Sequence, residues 1–320
     1  MLRSLRSAAA TLILAVLVAG CGSSAPAGSS GATTDGTVAA ALPGVTGAFG
    51  TRPTVTLPSP TPGGYSATVL IKGKGKPVAK GDLLVAHYLG ETWRDGTVFD
   101  QSYERGSPAT FGIGVAQVVP GWDQGLVGKR IGSRVVLVLP PDKAYGPSGN
   151  AQAGIRGSDT LVFVVDIVNA FGASAGAKGT PVAPVRGLPA VAIGPTGKPA
   201  ITIPHGVAAP KKLVAQPLLA GSGAPVKKGQ TVIAQYVGVI YGSGKQFDAS
   251  RERGRPASFP IGVGRVIPGW DKALVGAKIG SRMLLVIPPE DGYGRQGNPQ
   301  AGIRGTDTLV FVVDILDAVG

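Results

Sequence analysis

The sequence predicts an α+β protein in which one type of domain, an antiparallel β-sheet with a single short helix, occurs twice. Shifting the 320-residue chain by 148 positions aligns it with itself without gaps, and residues 81–169 match residues 229–317 at roughly 52 of 89 positions. Residues 83–90, 132–141 and 159–168 form β-branched runs bounded by Gly, Pro or Asp, which is typical of strands. A short helix is indicated at about residues 122–127, where Pro120-Gly121 leads into it.

The repeat defines the predicted domain organisation. The first copy is predicted at 52–169 and the second at 198–320, and each is close to the commonest domain size. Residues 170–197 are rich in Gly, Ala and Pro and have no matching segment before the first copy, so we expect a flexible linker. With such a linker, the two sites should act independently on short peptides but cooperate on long unfolded chains. The Gly- and Pro-rich loop at 141–157 lies between two strands, and a loop this long inside a domain is usually functional.

The N-terminus predicts export and lipid attachment. Arg3 and Arg6 precede an apolar run of signal-peptide length, so residues 1–20 are predicted to be a signal peptide. The following Leu17-Val18-Ala19-Gly20-Cys21 resembles the bacterial lipobox, which implies cleavage before Cys21 and a diacylglyceryl group on its thiol. An ordinary secreted protein is the alternative. Residues 21–51 are small and polar and are predicted to be a flexible tether.

Composition excludes several classes of protein. With two His and one Cys, the chain cannot build a Cys- or His-rich zinc site, an iron–sulfur cluster or an internal disulfide framework. We therefore expect no metal and no cofactor. The formal net charge of +13 favours anionic surfaces such as a membrane, but no basic stripe interleaved with aromatic residues indicates nucleic-acid binding.

Each copy resembles a known family through an ordered set of short motifs. The first copy contains VAHYLG, GTVFD, VVPGW, PPDKAYG and GIRGSDTLVFVVDI, and the second contains IAQYVG, GKQFD, VIPGW, PPEDGYG and GIRGTDTLVFVVDI. In order and spacing these are similar to the FKBP-type peptidyl-prolyl cis-trans isomerases, over roughly 240 of the 320 residues. The resemblance implies two FKBP-like domains, each a curved antiparallel β-sheet wrapped around a short α-helix, with an aromatic pocket between them.

The resemblance also implies the site residues. In the first copy the catalytic residues would be Tyr88, Phe99, Asp100, Val119, Trp122 and Tyr145, with Phe111, Val118, Ile155 and Phe163 binding substrate. In the second copy the catalytic residues would be Tyr236, Phe247, Asp248, Ile267, Trp270 and Tyr293, with Phe259, Val266, Ile303 and Phe311 binding substrate. The tryptophan would form the floor. The N–H of Val119 or Ile267 and the hydroxyl of Tyr145 or Tyr293 would hold substrate carbonyls.

Some positions depart from the family pattern or allow two interpretations. Ala109 and Ala257 stand where a wall residue is often aromatic, and Asn150 and Asn298 stand near a position where some members have His. Both changes would affect substrate preference and macrolide affinity. Asp100 either polarises the twisting carbonyl or orients Tyr88, or it only braces the strands; the same choice holds for Asp248.

The expected function is prolyl isomerisation during the folding of exported proteins at the outer face of the cell membrane. The partners would be proline-containing polypeptides, the membrane through Cys21, macrolide inhibitors in some cases, and no nucleic acid. Rotation about an X–Pro amide needs no nucleophile and no proton transfer, so a chain with almost no His or Cys can catalyse it. The alternatives are a non-catalytic tandem module or chaperone scaffold that binds proline segments, and a purely structural lipoprotein.

Overall fold

A computed structural model describes residues 42–320. The predicted signal peptide, Cys21 and most of the predicted tether lie outside the described residues. Within 42–320, no helix is both long enough and apolar enough to cross a bilayer.

The first copy is an antiparallel sheet with one α-helix, as predicted. The sheet has six strands in the order β3-β7-β8-β4-β5, and β6 also pairs with β4. Helix α1 begins at Pro120, two residues before its predicted start, because proline fits the first helical position, where no N–H is needed. The elements are β1 (Gly44–Thr46), β2 (Thr54–Thr56), β3 (Ser66–Ile71), β4 (Leu83–Thr92), β5 (Val98–Gln101), β6 (Ala109–Gly112), α1 (Pro120–Leu126), β7 (Arg134–Leu139) and β8 (Leu161–Phe171), with 3-10 helices at Tyr103–Arg105, Pro141–Lys143, Gly146–Ser148 and Ala151–Ala153.

The second copy repeats this arrangement. Its sheet has seven strands in the order β14-β13-β17-β16-β12-β9, and β15 pairs with β13. The elements are β9 (Thr180–Pro181), β10 (Ala190–Ile193), β11 (Pro199–Thr202), β12 (Val214–Ala220), β13 (Thr231–Ile240), β14 (Gln246–Ala249), β15 (Ala257–Pro260), α2 (Pro268–Leu274), β16 (Arg282–Ile287) and β17 (Leu309–Val319), with 3-10 helices at Ser250–Arg253, Pro289–Asp291, Gly294–Gln296 and Pro299–Ala301.

Both faces of each sheet are covered. On β7, Leu137 and Leu139 pack with Trp122 of the helix in one apolar cluster. In each domain we call the side of the sheet that packs against the α-helix the helix face. The alternate residues Val136 and Val138 point to the opposite face and pack under the short hairpin β1–β2. In the second domain the hairpin β10–β11 covers the corresponding face of the sheet. Each domain therefore includes a hairpin whose first strand comes from the segment that precedes the predicted domain.

A buried ion pair fixes the first of these segments. Arg134 donates two hydrogen bonds to the carboxylate of Asp166, at 2.6 and 2.7 Å, and both side chains are almost completely buried. The same guanidinium donates to the backbone oxygens of Gly47, Ala48 and Thr51. The end of the predicted tether is thus packed on the first domain, which differs from the flexible segment that the sequence predicts.

The linker between the copies is also structured, contrary to expectation. Strand β9 pairs with β12, and β10 pairs with β11 to form the hairpin of the second domain. The carbonyl oxygen of Ala173 accepts hydrogen bonds from Gln235 and Arg251, and the N–H of Ala177 donates to Asp314. Most of the linker is therefore held by the second domain. The predicted limits of the two domains stay predictions.

Candidate active site

In the second domain the predicted site residues surround one cavity. The cavity has a volume of about 130 Å³ and lies between α2 and the helix face of the sheet. Nine of the ten predicted residues line it: Tyr236, Phe247, Asp248, Phe259, Val266, Ile267, Trp270, Tyr293 and Phe311. The tenth, Ile303, is buried in the apolar cluster that supports these walls.

The first domain brings the same set of residues together. Tyr88, Trp122, Ile155 and Phe163 are buried in one apolar cluster, and Phe99, Phe111, Val118 and Val119 pack against it. The Trp122 ring is at the centre, with edge-to-face contacts to Phe111 at 4.9 Å, Phe163 at 5.3 Å and Tyr88 at 5.6 Å. Trp270 makes the same contacts in the second domain, at 5.0 to 5.4 Å. This geometry is the favourable one for aromatic pairs, so these contacts stabilise the position of the tryptophan in each pocket floor.

A glycine in the central strand makes room for two walls of the pocket. A Cβ atom on Gly90 would lie 2.7 Å from the Phe99 ring and 2.8 Å from the Phe163 ring. In the second copy a Cβ on Gly238 would meet Phe247 and Phe311 at the same distances. Any side chain here would push both rings into the pocket, so this position needs glycine for close packing.

The polar edge of each pocket is a three-residue cluster. The Tyr88 hydroxyl donates to Oδ2 of Asp100 at 2.5 Å, while Arg105 donates to Oδ1 of Asp100 at 2.8 Å and to the Tyr88 oxygen at 2.6 Å. The second copy has the same cluster of Tyr236, Asp248 and Arg253. Both carboxylate oxygens of Asp100 therefore accept hydrogen bonds from protein groups. This geometry favours the interpretation in which the aspartate orients the tyrosine, while its catalytic role stays a prediction.

The cluster sets the protonation states at the pocket edge. Burial, followed by the hydrogen bond to Asp100, raises the pKa of Tyr88 to about 12, so its hydroxyl is a donor at neutral pH. Burial pushes the pKa of Asp100 upward, but the hydrogen bonds from Arg105 and Tyr88 outweigh it and hold this pKa below its ordinary value. Burial likewise raises the pKa of Tyr236. In the first domain a neutral Tyr88 thus faces an ionised Asp100 at pH 7.

Tyr293 lines the cavity of the second domain, and Tyr145 is its counterpart in the first; 37% and 39% of their surfaces are exposed. Burial raises the pKa of Tyr145, so this hydroxyl also stays protonated. The loop after it is closed by Asn150, whose backbone exchanges two hydrogen bonds with Ile155 and whose side chain accepts from the N–H of Ala153. Asn298 closes the second loop in the same way. These asparagines therefore shape the loop that carries the isoleucine wall.

Sequence reasoning missed several residues that position the pocket. Arg105 and Arg253 complete the polar edge, and Asp123 accepts hydrogen bonds from the N–H groups of Gly114 and Ala116 and so fixes the segment before α1. The repeat contains the signal for them, because Glu-Arg-Gly occurs at 104–106 and again at 252–254 although nearby positions differ. Within the described residues, no group of three or more His, Cys, Asp or Glu could hold a metal ion.

Comparison with known proteins agrees with this geometry. The family model of the FKBP-type peptidyl-prolyl cis-trans isomerases matches residues 74–168 and 223–316, which is more than half of the chain. The chain belongs to this family. One match falls on each copy of the repeat, so the protein contains tandem FKBP-type domains.

Three relatives illustrate the extent of the similarity. The chain is 30% identical to human peptidyl-prolyl cis-trans isomerase FKBP9 over 236 residues, which is 74% of this chain and 35% of that protein. It is 40% identical to an FK506-binding protein of Streptomyces anulatus over 119 residues, 37% of this chain and 95% of that protein. The crystal structure of the three FKBP domains of wheat FKBP73 matches 80% of this chain and 95% of that one, with 21% identity and a TM-score of 0.34. The chain spans about a third of the length of the FKBP9 relatives.

Proposed function

We propose that this protein catalyses prolyl cis-trans isomerisation in exported polypeptides and that both domains are active. The observation that carries the proposal is the presence in each domain of the same aromatic pocket, with a buried tryptophan floor and an ordered polar edge. The chemistry suits such a site, because only rotation about one amide bond is required, against a barrier of about 18–20 kcal/mol.

The pocket would lower this barrier by holding the twisted amide better than the planar one. Water stabilises the planar amide through its polarity, and the apolar walls around Trp122 exclude that water. The proline ring would lie on the indole, and the Tyr145 hydroxyl and the N–H of Val119 would hold the flanking carbonyls. Interactions that are stronger in the twisted geometry than in the planar one accelerate the reaction.

A peptide assay tests the activity. The chain from residue 22 onward keeps every described residue, and it should accelerate the isomerisation of a short Leu-Pro peptide. The double variant Tyr145→Phe/Tyr293→Phe should lower kcat/KM roughly three- to tenfold, because one hydrogen bond is worth about 0.5–1.5 kcal/mol and a tenfold rate change about 1.4 kcal/mol. Tyr241→Phe is the matched control, since this hydroxyl bonds to the backbone of Val207 away from the pocket.

The result for the wild-type protein separates the candidate functions. If the protein binds the peptides but accelerates the isomerisation of none of them, the isomerase proposal is contradicted and a proline-binding module is supported. One relative is named an FK506-binding protein. We therefore propose that FK506 competes with the peptide at these pockets, which titration of the isomerase rate with FK506 would test.

We also propose that the protein acts outside the cytoplasm and is held at the membrane by a lipid on Cys21. The lipobox-like residues 17–21 support this proposal. Two acyl chains on one thiol suffice for stable anchoring, whereas one chain gives only marginal binding. Cys21→Ser should abolish incorporation of labelled fatty acid and remove the protein from the membrane fraction. A Cys21→Ser variant that loses its signal peptide and stays in the membrane fraction would contradict the proposal.

A further inference from the structure

The chain passes from one domain to the other with almost no slack. Strand β8 of the first domain ends at Phe171, and the next residue, Gly172, lies against the side chain of Asp82 in that domain. The carbonyl oxygen of Ala173 already accepts hydrogen bonds from Gln235 and Arg251 of the second domain. A single peptide step thus joins two anchored segments, so the linker cannot act as a flexible spacer.

A buried apolar cluster connects the two domains directly. Val85 of β4 and Ile233 of β13 are both completely buried and belong to one cluster with Leu83, and Phe171 and Leu316 are among the residues packed against it. Strand alternation explains this placement, because Leu84 on β4 faces the core of its own domain while Val85 faces the other way. The residues that complete this cluster are Val168 and Val319.

Equivalent residues meet across this interface. The hydroxyl of Thr110 is hydrogen-bonded to that of Ser258 at 2.8 Å, and Asn169 donates to Asp317 at 3.0 Å. In each pair the two residues are 148 positions apart, which is the offset of the repeat. Contact between corresponding residues is the mark of a two-fold interface, so the domains pair like two subunits of a symmetric dimer.

The pairing leaves both sites open and places their walls back to back. Thr110 and Phe111 are neighbours on β6, so Thr110 faces the second domain while Phe111 faces the pocket of the first. Ser258 and Phe259 have the same relation on β15. More than a third of the surface of Tyr145 and of Tyr293 remains exposed with the interface formed.

We propose that this interface fixes the separation of the two pockets, so that the protein binds one polypeptide at two prolines only when a minimum spacing separates them. The proposal rests on the proposed function of the pockets. A second contact within one chain occurs at an effective concentration of about millimolar when the span fits, and near zero when the segment between the two sites is too short. Pockets at a fixed separation therefore impose a minimum number of residues between the two prolines. Flexibly joined domains would have no such minimum, because their pockets could move closer together.

The experiment measures binding of peptides with two Leu-Pro sites joined by Gly/Ser spacers of roughly 4, 8, 16 and 32 residues. The chain from residue 22 onward is titrated calorimetrically, with a single-site peptide as reference. We expect no gain over the single-site peptide for the shortest spacer, and a gain of about tenfold or more above a threshold spacer length. An equal gain at every spacer length, or no gain at any, would overturn the proposal.

Interface variants test the cause of this pattern. Val85→Glu places a charge in the buried cluster, and Asn169→Asp is a milder change that sets two carboxylates against each other. Both should abolish the threshold while single-site turnover and far-UV circular dichroism are retained, whereas the control Val69→Glu, at an exposed position, should keep it. A threshold that survives both interface variants would overturn the proposal. Failure of the single-site peptide to bind or turn over would instead contradict the proposed function itself.

Discussion

Two buried tryptophans of the first domain differ in what their indole N–H groups contact, and this difference predicts opposite tolerance to substitution. Trp93 is 5% exposed and its N–H donates to the backbone oxygen of Pro58 at 3.1 Å. Trp122 is 3% exposed, and its buried N–H has no acceptor within the described part of the chain; the same is true of Trp270. A buried polar group without a partner costs about 1–3 kcal/mol.

Replacing either tryptophan with phenylalanine removes the indole N–H and a similar part of the ring. At Trp93 it also removes a hydrogen bond and leaves the Pro58 oxygen without its partner. At Trp122 it removes an N–H that already lacks an acceptor, which offsets part of the lost ring contacts. Trp93→Phe should therefore reduce the free energy of unfolding by about 1–3 kcal/mol more than Trp122→Phe does. Trp122→Ala, which deletes the pocket floor, should cost about 3–5 kcal/mol.

Urea unfolding followed by far-UV circular dichroism measures these differences without relying on the tryptophan signal. The three variants and the wild type are compared in the chain from residue 22 onward, so that both hairpins remain in place. If Trp122→Phe destabilises the protein as much as Trp93→Phe, the indole N–H of Trp122 has an acceptor and the explanation based on the unpaired group is refuted.

Three further predictions follow from charged groups. Burial lowers the pKa of His87 below its ordinary value of 6.5, so protonation of this side chain opposes folding. The free energy of unfolding should therefore fall as the pH drops below about 6.5. His87→Gln, which introduces the residue of the second copy, should remove this contribution in urea unfolding measured from pH 5 to 8. Arg134→Met should lower the unfolding free energy by about 3–5 kcal/mol in the same assay, because it leaves Asp166 buried without its partner. Exposed Arg265 and Arg295 flank pocket residues of the second domain, and the first copy has Gln and Pro at the corresponding positions. The double variant Arg265→Gln/Arg295→Pro should therefore reduce turnover of a Glu-Pro peptide but not of a Leu-Pro peptide. Added salt should reduce the difference in Glu-Pro turnover between the wild type and this variant, because salt screens exposed charges.

The sequence predicted the long strands β4, β7 and β8 and the helix because each has a local pattern, whereas the pocket residues were implied by the resemblance to the FKBP family. Strands β7 and β8 are rich in apolar and β-branched residues, and Pro120 marks the start of α1. The pocket residues could be named because their motifs occur in order in both copies. Arg105 was missed, although Glu-Arg-Gly recurs in both copies, because its role depends on the two side chains that it contacts and these contacts are visible only in the structure.

The two hairpins were missed for a different reason. Strands β1 and β10 are only three and four residues long and lie in segments rich in Gly, Ala and Pro, so they show no periodicity. The sheet nevertheless contained evidence for them. All six residues of β7 are buried and the five that follow Arg134 are apolar, so the strand needs cover on both faces, whereas the single helix can cover only one. The apolar runs thus required a second layer, which the hairpins supply.

The buried ion pairs explain why these segments belong to the domains although their sequences look like linkers. Arg134–Asp166 and Arg282–Asp314 occupy the same place in the two copies, and a buried pair is stable only when its remaining hydrogen-bonding groups are satisfied. In both domains the preceding segment provides these bonds, through three carbonyl oxygens to Arg134 in the first and through the N–H of Ala177 to Asp314 in the second. Backbone atoms provide them, and almost any residue type can offer a backbone atom. The anchoring is therefore encoded by the charges in the sheet rather than by the segment itself.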